Sequence, residues 1–276
     1  MAFVRTNDID TYYEQRGVGP PVVFVHAAIL AHSQWEHQVN ALSDGYTTIT
    51  YDIRGHGRTG GSEPASYSVE LFADDLAALI AALDLEAPVI CGLSLGGCIA
   101  QVYAATRPDE VAGIVLAETF TPEIFSRREW FQRSVMLRAT IPFVRLIGYG
   151  RVETAMVWVQ ERLSRTKAGG DYEKVEQLRE DVPKMNTNEF VKVIRAVAAF
   201  HKTEVDLAAI SVPTLVLYGE HELPFVKQHA AKLKSKIPNA ISREVPGAGH
   251  ASNLDNPVFF EDALRRFLDG VAAEAA

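Results

Sequence analysis

The sequence has few cysteines, no long apolar run and no excess of basic residues. Its two cysteines, Cys91 and Cys98, are too few and too close together for a disulfide scaffold, so we expect a reduced, cytoplasmic protein. No apolar run reaches the ~18 residues that a membrane span needs, and the N-terminal residues lack the basic and apolar segments of a signal peptide. The formal net charge of −8 argues against a nucleic-acid partner, because phosphate binding needs a basic surface.

Short apolar runs alternate with amphipathic segments over much of the chain. Hydrophobic residues make up 47% and charged residues 22% of the 276 residues, as in ordinary globular proteins. Helical segments separate the runs, and the helix predicted at 68–83 begins with Ser68, a residue type that caps helices. This order predicts an α/β fold with a mostly parallel central sheet flanked by helices. The runs typical of strands lie at 21–29, 47–52, 88–91 and 111–118.

The pattern changes between residues 120 and 206, where helical segments follow one another without a clear strand. Strand–helix alternation then resumes. We therefore expect one α/β core domain, residues 1–119 and 207–276, interrupted after its sixth strand by a helical lid, residues 120–206. Four aromatic residues could line an apolar pocket beneath this lid, although core packing explains at least half of them better: Trp130, Phe131, Trp158 and Phe200.

The pentapeptide Gly92-Leu93-Ser94-Leu95-Gly96 lies between a predicted buried strand and a predicted helix. In such a tight turn the two glycines remove Cβ atoms where the elements crowd together, and the serine hydroxyl is held out at the end of the sheet. The helix N-terminus brings backbone N–H groups and a positive dipole end to the same place. This context favours Ser94 as a nucleophile over a chance occurrence of the motif.

A serine nucleophile needs a base, and His250 is the strongest candidate among the eight histidines. It lies in a glycine-rich loop after the last predicted strand, from which its side chain can reach the carboxyl ends of the sheet. We expect His26 and His56 to be structural, and a surface role for His201 is at least as good as a pocket role. The remaining four occur in polar segments, so we expect them to be solvated: His32, His37, His221 and His229.

The base in turn needs a carboxylate that holds its tautomer and stabilises the imidazolium. Glu222 and Glu118 each follow an apolar strand, and each lies between Ser94 and His250 in the chain. Both therefore give the chain order serine, acid, histidine, and these residues alone leave the choice between the two glutamates open.

The motifs are similar to those of α/β-hydrolase-fold serine hydrolases, especially the group of esterases, 3-oxoadipate enol-lactonases and cofactor-free haloperoxidases. The matching segments are VVFVHAA, YDIRGHGRTGGS, GLSLGGCIAQ, PTLVLYGEHELP and VPGAGHASNLDNP. The resemblance implies Ser94 as nucleophile, His250 as base and Glu222 as acid, with Glu118 as the alternative acid. The family usually carries aspartate where this chain has Glu222, and glutamate, which is one methylene longer, can do the same job.

A second departure from the family pattern concerns the oxyanion turn, which usually reads His-Gly and here reads His26-Ala27-Ala28. The resemblance implies an oxyanion hole made of the backbone N–H groups of Ala28 and Leu95, with Ile29 as the alternative first donor. Backbone donors survive a change of side chain, so Ala27 need not abolish the hole. Alanine nevertheless allows fewer backbone conformations at this position, because it is strained at positive φ where glycine is not.

We interpret the chain as a cofactor-free serine hydrolase that cleaves a carboxylic ester or lactone of a small, fairly apolar substrate through an acyl-enzyme. A metal site is not predicted, because Asp52 and His56 have no further ligand cluster in the sequence around them. Two alternatives stay open: perhydrolase or haloperoxidase-like activity of the same triad, and a ligand-binding, receptor-like protein with little turnover. The expected partner is a small molecule, and the expected assembly is a monomer or a homodimer.

Overall fold

A sheet of eight strands runs through the computed structural model, which describes residues 1–152, 183 and 185–275. In chain order the strands are Ala2–Thr6 (β1), Ile9–Arg16 (β2), Pro21–Val25 (β3), Thr47–Tyr51 (β4), Val89–Leu93 (β5), Gly113–Ala117 (β6), Thr214–Gly219 (β7) and Ala240–Val245 (β8). Across the sheet their order is β1-β2-β4-β3-β5-β6-β7-β8. The pairs β1–β2 and β2–β4 are antiparallel, whereas the other pairs are parallel. The predicted α/β fold with a mostly parallel sheet is therefore confirmed.

Helices flank this sheet. They include Glu36–Leu42 (α1), Val69–Ala82 (α2), Leu95–Thr106 (α3), Arg127–Trp130 (α4), Leu137–Ile147 (α5), Thr187–Ala199 (α6), Pro224–Lys236 (α7), Ser252–Asp255 (α8) and Pro257–Ala275 (α9). A π-helix, Phe131–Met136, joins α4 to α5. Helix α2 begins as the sequence predicts, because the Ser68 hydroxyl accepts a hydrogen bond from the N–H of Leu71.

Successive residues of the central strands point to opposite faces of the sheet, and both faces are apolar. In β3, Val23 and Val25 pack in a cluster with residues of α2 and α3, whereas Val22 and Phe24 pack with residues of α1 and α9. Both cysteines are free and lie buried in these layers. Burial on both sides explains why such a strand is a continuous apolar run in the sequence.

Strands β1 and β2 are not predicted by the sequence pattern. β1 is mostly exposed, and β2 mixes polar with apolar residues along its length. β2 nevertheless pairs with β4, with Tyr13 opposite Tyr51, and so extends the sheet at its edge. Edge strands of this kind lack the continuous apolar run by which buried parallel strands are found.

A helical insertion separates β6 from β7. Its described part contains α4, the π-helix, α5 and α6, and no strand. Helices α5 and α6 share a small apolar cluster that includes Ile141 and Phe190, and Ile29, in the loop after β3, packs against this cluster. The rest of the insertion, including Trp158, lies outside the described residues, so the boundaries of the lid stay a prediction.

Candidate active site

Ser94 occupies the sharp turn between β5 and α3. Its backbone angles are φ +55° and ψ −110°, a conformation that residues other than glycine rarely adopt and that costs about 1–3 kcal/mol. A Cβ on Gly92 would lie 2.2 Å from the carbonyl oxygen of Gly96, and a Cβ on Gly96 would lie 2.0 Å from that of Val25. The two glycines therefore allow α3 to pack directly on β5 and β3, as the motif predicts.

The nucleophile, base and acid that the sequence predicts lie in contact beyond the carboxyl ends of β5 and β7. His250 Nε2 lies 3.2 Å from the hydroxyl oxygen of Ser94, and His250 Nδ1 lies 2.5 Å from Glu222 Oε2. The second oxygen of Glu222 accepts a 2.6 Å hydrogen bond from the N–H of Leu223. With its proton on Nδ1, His250 donates to Glu222, and its Nε2 is free to accept the proton of the Ser94 hydroxyl.

Glu222 and His250 stabilise each other's charge. Burial alone would raise the pKa of the Glu222 carboxyl, but the charge and hydrogen bond of His250 outweigh burial and leave that pKa below its usual range. Burial would likewise lower the pKa of His250, yet Glu222 and the more weakly coupled Asp255 raise it above the usual histidine value. The Glu222 side chain is fully buried, whereas 38% of the His250 side chain is exposed, so a substrate can reach the histidine from the solvent side.

The turn after β3 contains the predicted oxyanion residues. The N–H of Leu30 bonds to the carbonyl of Ala27 at 3.2 Å, so Ala28 and Ile29 form the centre of the turn. The N–H of Ala27 is taken up by Gln34 Oε1 at 2.8 Å. The left-handed conformation lies at Ile29, with φ +63°, and not at Ala27. The sequence analysis places the possible strain at Ala27, and this is wrong: the strained residue is the β-branched Ile29, two positions later.

The N–H of Leu95 lies at the start of α3. It is one of the first four N–H groups of the helix, which have no acceptor within the helix. The sequence predicts that it forms the oxyanion hole together with the N–H of Ala28 or Ile29, and this assignment stays a prediction.

Glu118 lies beside these residues without replacing Glu222. It follows β6 directly and is fully buried. The carboxyls of Glu118 and Glu222 and the ring of His250 each offer an atom within 4.8 Å of the others, the one such group that fits a metal among the described residues. A zinc ion would hold each ligand atom at about 2.0–2.2 Å and thus keep the atoms well apart from one another. The 2.5 Å contact between Nδ1 and Oε2 is instead a hydrogen bond, which favours Glu222 as the residue that orients His250.

Comparison with known proteins identifies the family to which this fold belongs. Residues 20–257 match the model of the α/β hydrolase fold family. The chain belongs to the α/β-hydrolase family. It is 30% identical to a putative non-heme chloroperoxidase of Synechocystis sp., over 94% of this chain and 95% of the relative. It is 26% identical to a solved thermophilic esterase from Thermogutta terrifontis, with a TM-score of 0.79 and 98% of each chain covered.

A solved enol-lactonase from Burkholderia xenovorans LB400 has the same fold, with 23% identity, a TM-score of 0.79 and coverage of 97% of this chain and 99% of that one. The resemblance inferred from the motifs is therefore confirmed, and the protein is a hydrolase. Among the helices described for this hydrolase, none has the length and apolar character required to cross a bilayer.

Four of the seven histidines outside the active site of the hydrolase are buried. His26 and His56 are buried and their rings pack at 4.9 Å, which confirms the structural role expected of them. His32 and His229 were expected in solvent, and this expectation is wrong, because both are buried. His32 Nδ1 lies 2.8 Å from Asp52. Both rings point inward from polar segments toward hydrogen-bond partners that are remote in the sequence.

His229 joins the helical insertion to α7 of the core. Its Nε2 lies 2.7 Å from Glu129, and its Nδ1 lies 2.9 Å from the hydroxyl of Thr121. Arg133 donates to the same Glu129 carboxylate at 2.7 Å and to the carbonyl of Thr121 at 3.0 Å. Sequence reasoning missed this cluster, and the i,i+4 spacing of Glu129 and Arg133 was its one local signal.

The aromatic residues proposed to line a pocket do not behave alike. Phe200 is buried in the main core cluster, so packing explains it. Trp130 and Phe131 are 47% and 51% exposed, so neither is packed in the core, and half of each side chain faces solvent.

Proposed function

We propose that this hydrolase cleaves a carboxylic ester or lactone of a small, fairly apolar substrate, with Ser94 as its nucleophile. The observation that carries the proposal is the pair of contacts that His250 makes, 3.2 Å to the Ser94 hydroxyl and 2.5 Å to Glu222. A serine hydroxyl is a weak nucleophile by itself, and a neutral imidazole within hydrogen-bond distance supplies the base that it needs. Glu222 keeps the ring proton on Nδ1 and offsets the positive charge that develops on the imidazole.

In the acylation step, Ser94 Oγ bonds to the carbonyl carbon while its proton moves to His250 Nε2. The carbonyl oxygen of the tetrahedral intermediate carries the negative charge and accepts hydrogen bonds from the N–H of Leu95 and that of Ala28 or Ile29. Each such donor contributes about 3–4 kcal/mol to the stability of the transition state. His250 then gives its proton to the leaving oxygen, the C–O bond breaks, and an acyl-serine remains.

In the deacylation step, His250 takes a proton from a water molecule, whose oxygen attacks the acyl carbon. Collapse of the second tetrahedral intermediate returns the proton to Ser94 Oγ and releases the acid. Each step uses side chains and amides of this chain alone, so the proposal includes no cofactor and no metal ion.

We assign substrate selection to the insertion, residues 120–206, acting as a lid. The support is the contact between Ile29, in the oxyanion turn, and the apolar cluster shared by α5 and α6. Because the insertion packs on the turn that adjoins the nucleophile, its side chains are expected to form the wall of the substrate pocket.

A burst experiment tests the proposal. With p-nitrophenyl acetate or butyrate we expect one equivalent of nitrophenol to appear rapidly before steady turnover, and we expect Ser94→Ala to abolish both phases. The matched control is Ser235→Ala, because Ser235 is exposed on α7 and its hydroxyl donates to the carbonyl of Lys232, within its own helix. A fluorophosphonate probe should label the wild type and the control but not Ser94→Ala. Binding of the esters without turnover or labelling would contradict the proposal and favour a receptor-like protein.

Perhydrolysis by the same triad is a second candidate, favoured by the 30% identity to a putative non-heme chloroperoxidase. In that reaction hydrogen peroxide replaces water as the nucleophile that attacks the acyl-serine, and the product is a peracid. Peracid formation from acetate and hydrogen peroxide, measured through oxidation of added bromide, should then depend on Ser94. Ester hydrolysis without peracid formation would exclude this second reaction.

A further inference from the structure

Glu118 has no part in the mechanism above, although it is fully buried next to the acid of the triad. Its N–H continues the sheet beyond β6 by bonding to the carbonyl of Leu217 at 3.0 Å. Its φ of +47° is rare for a residue other than glycine. The surrounding fold therefore holds a carboxyl group in a dry place at a cost in backbone strain.

The two neighbouring carboxyls have very different partners. Glu222 accepts hydrogen bonds from the His250 ring at 2.5 Å and from the N–H of Leu223 at 2.6 Å. Among the described residues, no N–H or O–H group meets either oxygen of Glu118 with full hydrogen-bond geometry, although the Ser252 hydroxyl and the N–H of Gly219 lie close by. Two carboxyls in one buried pocket do not both ionise, and the charge stays on the one with the better donors. Here that carboxyl is Glu222.

The electrostatics of the pocket agree with this division. Burial and the negative charge of Glu222 raise the pKa of Glu118 well above its usual range. Despite burial, His250 holds the pKa of Glu222 below its usual range. Asp255 is the other charged group that influences His250, and its carboxylate accepts a hydrogen bond from the N–H of Gly249 at 2.8 Å. This division leaves the negative charge of the carboxyl pair on Glu222, next to His250.

We propose that Glu118 is kept as a neutral carboxylic acid and donates its proton in a hydrogen bond to the Glu222 carboxylate, which makes it a positioning residue for the triad. The proposal rests on the role of Glu222 in the proposed function. It gives the Glu118 oxygens a partner and gives Glu222 a third donor. This donor holds Glu222 in place for His250, and it draws part of the carboxylate charge away from the imidazole.

Two substitutions separate the proton of Glu118 from its bulk. Glu118→Gln retains a neutral donor of the same shape, so the pKa of His250 should stay within about 0.3 unit of the wild-type value. Glu118→Leu retains the bulk but has no donor, so the full Glu222 charge acts on His250 and its pKa should rise by about one unit. The kcat for an activated ester should fall about tenfold in Glu118→Leu, with KM unchanged, and should be restored in Glu118→Gln.

Two measurements test the protonation without any substrate. NMR titration of histidine-labelled protein gives the pKa of His250, with a His250→Gln variant to identify its signal. An infrared spectrum at pH 7 should contain the C=O stretch of a protonated carboxyl in the wild type, and this band should be missing in Glu118→Gln.

An ionised Glu118 gives the opposite results. The infrared band would be absent from the wild type, and Glu118→Gln would remove a negative charge within 4.8 Å of His250, which lowers the pKa of His250 by about 2.5 units at an effective dielectric constant of 20. Either result overturns the proposal, as does a Glu118→Leu variant with wild-type kcat and an unchanged His250 pKa. If the band is present but no ester is turned over, the proposed function fails while the protonation of Glu118 stands.

Discussion

Replacing Glu222 with glutamine tests the proposed triad most directly, because the change removes one charge and keeps the shape of the side chain. The carboxylate lies 2.5 Å from His250 Nδ1, which places the centres of the two charges roughly 4 Å apart, where opposite charges attract by ~4 kcal/mol at an effective dielectric constant of 20. That energy corresponds to about 10³-fold in rate. Glutamine can also donate to Nδ1, which moves the ring proton to Nε2 and removes the base, and such a change costs ~10⁴-fold in other serine hydrolases. We therefore expect kcat to fall by about 10³- to 10⁴-fold.

The assay is steady-state hydrolysis of p-nitrophenyl butyrate, with kcat and KM measured separately for each variant. Glu220→Gln is the matched control, because Glu220 lies in the same turn, is exposed, and bonds at the surface to the N–H of Gly247 at 2.8 Å. We expect this control to stay within about twofold of the wild type. Glu222→Asp withdraws the carboxylate by one C–C bond of about 1.5 Å, which breaks the contact with His250, so its kcat should lie between those of the wild type and Glu222→Gln.

A loss of less than tenfold in Glu222→Gln would refute this reasoning, and a larger loss in Glu118→Gln would make Glu118 the orienting acid. The pH profile gives an independent check. His250 acts as a base only when neutral, and Glu222 raises its pKa above the usual 6.5, so kcat/KM of the wild type should fall as the pH drops through that raised value. Without the Glu222 charge the same fall should occur at lower pH.

Three further predictions concern the sharp turn at Ser94, the buried histidines His26 and His56, and the buried Glu129. Gly96→Ala places a methyl group 2.0 Å from a carbonyl oxygen of β3. We therefore expect kcat to fall by about 100-fold or more, and the free energy of unfolding measured in urea to fall by about 1–3 kcal/mol. A wild-type kcat would contradict this prediction. Burial lowers the pKa of His26 to about 3 and that of His56 to about 4. The unfolded chain therefore binds a proton on each ring below about pH 6.5 while the folded chain does not, and the unfolding free energy should drop by about 1.4 kcal/mol per ring between pH 7.5 and 5.5. His56→Gln should remove one ring's share of this drop, and an unchanged pH dependence would refute the assignment. Glu129→Ala leaves His229 and the neighbouring guanidinium without their buried anion, so chemical denaturation should show a free energy of unfolding lower by about 3–5 kcal/mol. An unchanged free energy of unfolding would contradict this prediction.

The sharp turn at Ser94 could be predicted from the sequence because its requirements are local. A strand that ends at Leu93, a helix that begins at Leu95 and two glycines where the elements touch are all readable within one short segment. The base and the acid could be predicted for a similar reason, since each lies in a loop that follows a strand, and parallel strands bring their carboxyl ends to one edge of the sheet. The choice of Glu222 over Glu118 needed the family resemblance, because both glutamates satisfy the local pattern.

Burial of polar side chains could not be predicted, because it depends on partners that are distant in the chain. His32 bonds to Asp52, 20 residues away, and His229 bonds to Glu129, 100 residues away. Each histidine lies in a polar segment that is typical of a solvated surface. Strands β1 and β2 were missed for a related reason, since their place in the sheet depends on pairing at an edge and not on an apolar run.

The two departures from the family pattern are accommodated by neighbouring residues and not at the substituted positions themselves. Ala27 avoids the left-handed conformation and gives its N–H to Gln34, while the strained backbone lies at Ile29. Ile29 packs against the apolar cluster of the insertion, and this contact supports the turn at its strained residue. The longer side chain of Glu222 is fixed at its second oxygen by the N–H of Leu223. In each case a neighbouring residue makes the adjustment: Ile29 adopts the strained conformation, and Leu223 donates the hydrogen bond that fixes the longer side chain. The active-site geometry is thereby kept with alanine and glutamate where the family usually has glycine and aspartate.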